Sequence, residues 1–182
     1  MIKFTDIRDR LITATSFSKV FNMINYRLGY VIGPPDIMEA IGIAHSASTG
    51  GISSIAQQGG IAALSRGMEE KYLPRIVSIL QKGRDYAIKR FAEIPDVTLI
   101  PPEGTNLLFP NVSRFGMSSF EFAKFLLKEE KVAVAPGIAY HGENHVRISL
   151  RTERNEEVID RVANAMFKLS KRHSKRHNLS SS

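Results

Sequence analysis

Lys19 stands eight positions before Arg27 in the run TSFSKVFNMINYRLGYVIGPP, residues 15 to 35. Phe17, Val20 and Phe21 flank the lysine. Partial desolvation by such neighbours disfavours the ammonium form and leaves a more nucleophilic amine, able to join a carbonyl as a Schiff base. Ser16, Ser18 and Arg27 add hydroxyl donors and a planar guanidinium fork, a set suited to a phosphate group. An amine beside a phosphate cradle points to pyridoxal 5'-phosphate, whose aldehyde takes the amine and whose phosphate takes the anchors. Spacing alone does not carry this, because a lysine and an arginine in a loop are more often surface charges.

The elements that must position these groups follow from hydrophobic periodicity and turn chemistry. RLITATS reads as a short buried strand ending at a loop, and RLGYVIG as a second strand closed by Pro34 and Pro35, with the lysine between them. DIMEAIGIAHSA and SSIAQQGGIAALSR have helical spacing, opened by Asp36 and by Ser53 or Ser54; Gly59 and Gly60 weaken the second. An amphipathic pattern from Glu69 to about Ile94 makes one long helix, with Pro74 acceptable in its first turns. Beyond it, VTLI, TNLLFP, SSFEFAKFLLKEE, VAVAP and HVRISL alternate strands with a helix, and a last helix is expected from about Asn155 to Lys171. That texture describes an α+β lobe, a small sheet covered by helices.

Composition narrows the function classes. A 43% hydrophobic content over 182 residues is ample for a buried core. No apolar run approaches the roughly 20 residues that span a bilayer, and MIKFTDIRDR lacks a signal-peptide centre, so the expectation is a cytoplasmic protein with no membrane partner. The absence of cysteine removes disulfides and thiolate chemistry. The net charge of +7 is concentrated at one end: from Lys168 onward there are five Lys or Arg and no acid, so the rest carries 7 minus 5, or +2. No aromatics interleave with those charges to stack on bases, so nucleic acid is not expected as a partner. His45, His141 and His145 share no metal-binding spacing with acids, so no metal site is expected.

The ordered residues Ser16-Phe17-Ser18-Lys19, Asn22-Met23 and Arg27-Leu28-Gly29-Tyr30 resemble the lysine-attachment signature of the class I and II aminotransferases, the fold-type I pyridoxal phosphate enzymes. The resemblance implies that Lys19 is the Schiff-base lysine and that Ser16 and Arg27 hold the cofactor phosphate, with Ser18 bordering the same loop. GYVIGPPDIMEAI and STGGISSIAQQGGIAAL are similar to the family's next segments; there Thr49 matches a hydroxyl that reaches a partner subunit's phosphate, and is equally an ordinary polar loop residue. Gln57 fits a structural position on the following helix. PDVTLIPPEGTNLLFPNV and VAVAPG look like the small domain of the aspartate and aromatic aminotransferase branch, and GENHVRISL places Arg147 where the family binds the substrate α-carboxylate. A strand-held guanidinium matches a carboxylate's two oxygens, although an arginine alone on a strand is more often an edge charge or an ion pair.

The implied fold is α/β: the end of the fold-type I large domain over residues 1–72, joined by a long helix to an α+β small domain over 73–171, with a disordered basic tail over 172–182. The implied reaction moves an amino group between an L-amino acid and a 2-oxo acid, in a homodimer or together with a complementing N-terminal half. The loop from Gly137 to Arg147 is about two residues shorter than the usual family form. Family members are about twice this length, and the other half supplies the aspartate paired with the pyridine nitrogen and the aromatic stacked on the ring. The chain is therefore expected to be inactive by itself; a non-catalytic interaction or dimerisation module is the alternative.

Overall fold

The computed structural model describes residues 6–95, 97–151 and 153–180, without the side chains of 66, 69 and 172–180. Helices and small antiparallel sheets make up an α/β chain that divides into two compact units between Arg75 and Ile76.

In the first unit, strands β1 (Thr13–Ser16) and β2 (Gly29–Ile32) pair antiparallel from Thr13↔Ile32 to Ser16↔Gly29. A side chain at position 29 would put its Cβ 2.7 Å from the Thr15 carbonyl oxygen, so glycine permits the close approach. β1 was expected to be buried; instead its residues alternate between half-buried and exposed, and all four residues of β2 are exposed. Helix α1 is one turn, Phe17–Val20, and α2 (Pro35–Thr49) begins at a proline in its first turn and ends on Gly50 in the left-handed region. No residue of α2 is buried.

Helix α3 (Ser54–Ala63) is capped by Ser53, whose side chain accepts from the Ala56 N–H. It runs unbroken through Gly59 and Gly60, and packing explains why: a Cβ on Gly60 would lie 2.6 Å from Leu28 Cδ2, and one on Gly59 3.1 Å from the Tyr26 ring. The glycine pair that lowers helix propensity lets the lysine loop lie against the helix. Phe17, Leu28 and Ala63 form the buried cluster there, with Phe21 and Met23 packed against it.

Helix α4 (Arg66–Ala92) starts three residues before the expected Glu69, which puts Pro74 in its interior. The unit division follows one residue after that proline. In the second unit, strands β3 (Leu107–Leu108), β4 (Ala135–Pro136) and β5 (Val146–Ser149) make an antiparallel sheet in the order β3-β5-β4. VTLI forms no strand; its Thr98 carbonyl accepts from Asn111, and Pro101 and Pro102 follow without amide donors. SSFEFAKFLLKEE becomes α5 (Ser119–Phe125), opened by a reciprocal Ser118–Glu121 cap, and then a π turn over Leu126–Glu130.

Val146, Ile148 and Leu150 alternate inward and join Phe91, Phe122, Leu126 and the Ile159, Val162 and Met166 face of α6 (Asn155–Ser180) in one core. Each such side chain contributes about 2 kcal/mol by leaving water. Asp160 ties α6 to α4, accepting from the Tyr86 hydroxyl and from Arg90 Nε, each at 2.8 Å. Helix α6 continues past Lys171 to Ser180, through much of the segment expected to be a disordered tail; that stretch has no proline or glycine to stop it. The basic side chains there lie outside the described residues.

Candidate functional site

Ser16 ends β1, and Ser18, Lys19 and Arg27 fall on the connection between β1 and β2. The Ser16↔Gly29 pair and a bond from the Phe17 N–H to the Leu28 carbonyl, 3.1 Å, bring the ends of that connection together. Inside it, the Phe17 carbonyl accepts from the N–H groups of Phe21 and Met23 at 3.2 and 3.3 Å. Phe17 is buried and packs on Phe21 and Tyr30, ring centroids 5.6 Å away in both cases. The loop therefore hangs from apolar anchors at both ends, Phe17 and Leu28, while its polar groups face outward.

Ser16 caps α1, its Oγ accepting from the Ser18 N–H at 3.1 Å. Arg27 holds a left-handed backbone, φ 52°, after a 3-10 turn over Ile24–Tyr26, and its guanidinium donates to the Ile24 carbonyl at 3.1 Å. Such a backbone costs a non-glycine residue about 1 kcal/mol, a strain maintained by the anchored loop. Lys19 is exposed and its Nζ makes no hydrogen bond or ion pair among the described residues, which corrects the expectation of partial desolvation. The apolar neighbours explain the difference: Phe17 turns into the cluster with Leu28, and Val20 is itself 46% exposed.

Thr49 ends α2, with its hydroxyl donating to the His45 carbonyl at 2.9 Å and lying 3.1 Å from His45 Nε2. Gln57 donates to the Ile52 carbonyl at 3.0 Å and so braces the turn ahead of α3.

Arg147 lies in the second unit, on β5 opposite Ala135. Its guanidinium carbon sits 4.3 Å from the centre of the Tyr140 ring, a cation–π stack, and its Nε is buried without a hydrogen-bond partner among the described residues. The segment from Gly137 to His145 forms the platform. The Gly137 N–H donates to the His145 carbonyl, and the N–H groups of Gly142 and His145 donate to the Gly137 and Gly142 carbonyls, all at 2.9 Å. A Cβ on Gly137 would collide with the Gly142 and His145 carbonyl oxygens. Ser119, fully buried, fastens this loop to α5: its N–H and Oγ donate to Glu143 at 2.8 and 3.1 Å, and its Oγ accepts from the Ile138 N–H at 3.2 Å.

Sequence reasoning did not single out Tyr140, Glu143 or Ser119 as supports of Arg147. The seven-residue spacing of Tyr140 and Arg147 carries no signal unless the turn between them is known. The Gly137 and Gly142 pair is the one trace of that turn in the sequence.

Residues 2–166 match the family model described as aminotransferase class I and II. The chain is 34% identical over 170 residues to an aspartate aminotransferase of Pyrococcus horikoshii, covering 91% of this chain and 43% of that protein. Its fold is similar to that of an aromatic aminotransferase from Pyrococcus horikoshii, with a TM-score of 0.77 at 30% identity, covering 88% of this chain and 44% of that one. It is also similar to an aspartate aminotransferase from Thermotoga maritima, TM-score 0.74 at 29% identity, covering 87% and 40%. The chain thus spans less than half the length of each of these proteins. Sequence over nearly the whole chain and fold over most of it agree, and the chain belongs to the class I and II aminotransferase family.

Proposed function

We propose that the chain is the C-terminal part of a pyridoxal-phosphate-dependent aminotransferase that moves an amino group between an L-amino acid and a 2-oxo acid. On this reading the first unit is the end of the large domain, and α4 leads into the small domain. The observation that carries the reading is the closed β1–β2 connection, which holds a primary amine, a guanidinium and two hydroxyls on one anchored loop. That donor set fits a ligand with one aldehyde and one phosphate.

Pyridoxal phosphate, when bound, supplies the aldehyde and an electron-withdrawing ring. Ser16, Ser18 and Arg27 bind its phosphate through hydroxyls and the guanidinium, and in a dimer Thr49 offers a hydroxyl from α2 to the phosphate held by the partner copy. Lys19 Nζ is the amine that holds the aldehyde and, once released, the base that moves the proton at the substrate Cα. Arg147, steadied by Tyr140, orients the substrate α-carboxylate through a guanidinium whose Nε awaits an acceptor.

The partner is a polypeptide equivalent to the family's N-terminal portion, or a second copy of the chain, and amino transfer requires the complement. A second reading, an aminotransferase-derived interaction module, is favoured by one observation: Ile43, Ile55 and Ile61 are 68%, 79% and 64% exposed and β2 is uncovered. Absorbance of the chain mixed with pyridoxal phosphate separates the two. A new visible band that borohydride removes, absent in Lys19→Ala, supports the enzyme reading; an identical spectrum for both proteins supports the module.

A further inference from the structure

We propose that a cleft on the second unit binds a small, multiply charged phosphate-type oxyanion such as a diphosphate group. This inference is independent of the amino-transfer reading. The cleft has a volume of about 440 Å³ and lies between the segment that enters β4, the end of β5 and the first turns of α6. That size suits a small molecule. Its floor is apolar, from Val132 and Leu150, both buried. Four cations line it, Lys131, Arg151, Arg154 and Arg161, against one carboxylate, Glu157, so the lining carries 4 minus 1, or +3.

Glu157 acts as a clamp. It accepts from Arg154 at 2.8 and 3.0 Å and pairs with Arg161 at 2.9 Å, which draws two guanidinia to one rim, and Arg161 also donates to the Glu130 carbonyl at 3.3 Å. The Arg154 bond, followed by the charges of Arg154 and Arg161, holds the Glu157 carboxyl below the usual carboxylate range, so the clamp stays charged at neutral pH. The Arg151 guanidinium has no partner among the described residues. Lys131, on a left-handed backbone of φ 57°, donates one of its three N–H groups to the Lys128 carbonyl at 2.7 Å and keeps two for a ligand. Cations gathered over an apolar floor concentrate positive potential. A tetrahedral oxyanion with several acceptors matches both fork and point donors.

The test is nitrogen-15 NMR of the full chain titrated with pyrophosphate at constant ionic strength, with citrate and chloride as parallel titrants. Saturable one-to-one shifts are expected over residues 131–133 and 149–161, titrating separately from any shifts over residues 16–27, with citrate at least about tenfold weaker. Arg151→Gln with Lys131→Gln should weaken pyrophosphate about tenfold or more, whereas Arg27→Gln should leave these shifts unchanged and so separate the cleft from the cofactor loop. Shifts that do not saturate, that chloride reproduces, or that survive the double substitution would overturn the proposal. Equal binding of citrate would overturn the phosphate assignment.

Discussion

Gly60 and Leu28 meet so closely that a methyl group on Gly60 would lie 2.6 Å from Leu28 Cδ2, and Leu28 is the residue that follows Arg27. The arginine's strained backbone and the packing of α3 are therefore one arrangement. Gly60→Ala would add about 1 kcal/mol of helix propensity. It would lose about 1–3 kcal/mol to overpacking. The expected result is a first unit destabilised by up to about 2 kcal/mol, with shifted amide signals across residues 16–29 in NMR. Gly59→Ala, whose Cβ faces ring and methyl edges at 3.1–3.4 Å, should be milder.

Gly137→Ala tests the turn beneath Arg147. Its Cβ would strike two backbone oxygens, Gly142 O and His145 O, which cannot move without opening the bonds that close the loop. Urea unfolding should show a loss of about 3 kcal/mol. Ser119→Ala removes the hydroxyl shared between Glu143 and the Ile138 N–H, with an expected cost of about 1 kcal/mol in the same measurement.

The Tyr140 ring should be visible in the spectrum of Arg147. A proton beneath an aromatic face is shifted upfield, so the Arg147 Nε–H signal should stay shifted in Tyr140→Phe and return toward ordinary arginine values in Tyr140→Leu. An unchanged signal in both variants would mean that the stack is not populated in solution.

Acid should weaken the second unit, with Asp160 as one source. Hydrogen bonds from Arg90 first and Tyr86 second hold its carboxyl below the usual range, and a backbone bond from Ser118 does the same for Glu121. A carboxylate with a depressed folded pKa lends stability above its unfolded pKa and loses it as pH falls through the folded value, so stability should decline from about pH 5 downward. The Tyr86 hydroxyl is shifted up, chiefly by its bond to Asp160, so its contribution is present below the ordinary phenol pKa and fades as pH rises through the folded value. Urea midpoints at pH 7, 5 and 3 should fall, and Asp160→Asn should flatten that fall.

Much of the fold was legible because periodicity and punctuation agreed. The β1 and β2 segments, the Ser53 cap and the Arg147 strand all carry local signals that tertiary packing left in place, whereas α2 opens at Pro35 and takes the expected opener Asp36 into its first turn. The misses came from neighbours that a linear reading cannot assign. Gly59 and Gly60 read as a weak helix until Leu28 and Tyr26 are laid against them, and VTLI reads as a strand until its ladder is found to be one hydrogen bond. At the site, the order of Ser16, Lys19 and Arg27 marked the loop, but the exposure of Lys19 depends on where Phe17 turns.

The proposed role of Lys19 is to take the aldehyde, beside a phosphate site made by Ser16 and Arg27. Mixing the chain with pyridoxal phosphate, reducing with borohydride and mapping the peptides tests it most directly. Label should concentrate on Lys19 and be diminished by Arg27→Gln. Label spread evenly over the exposed lysines, with Arg27→Gln making no difference, would contradict it.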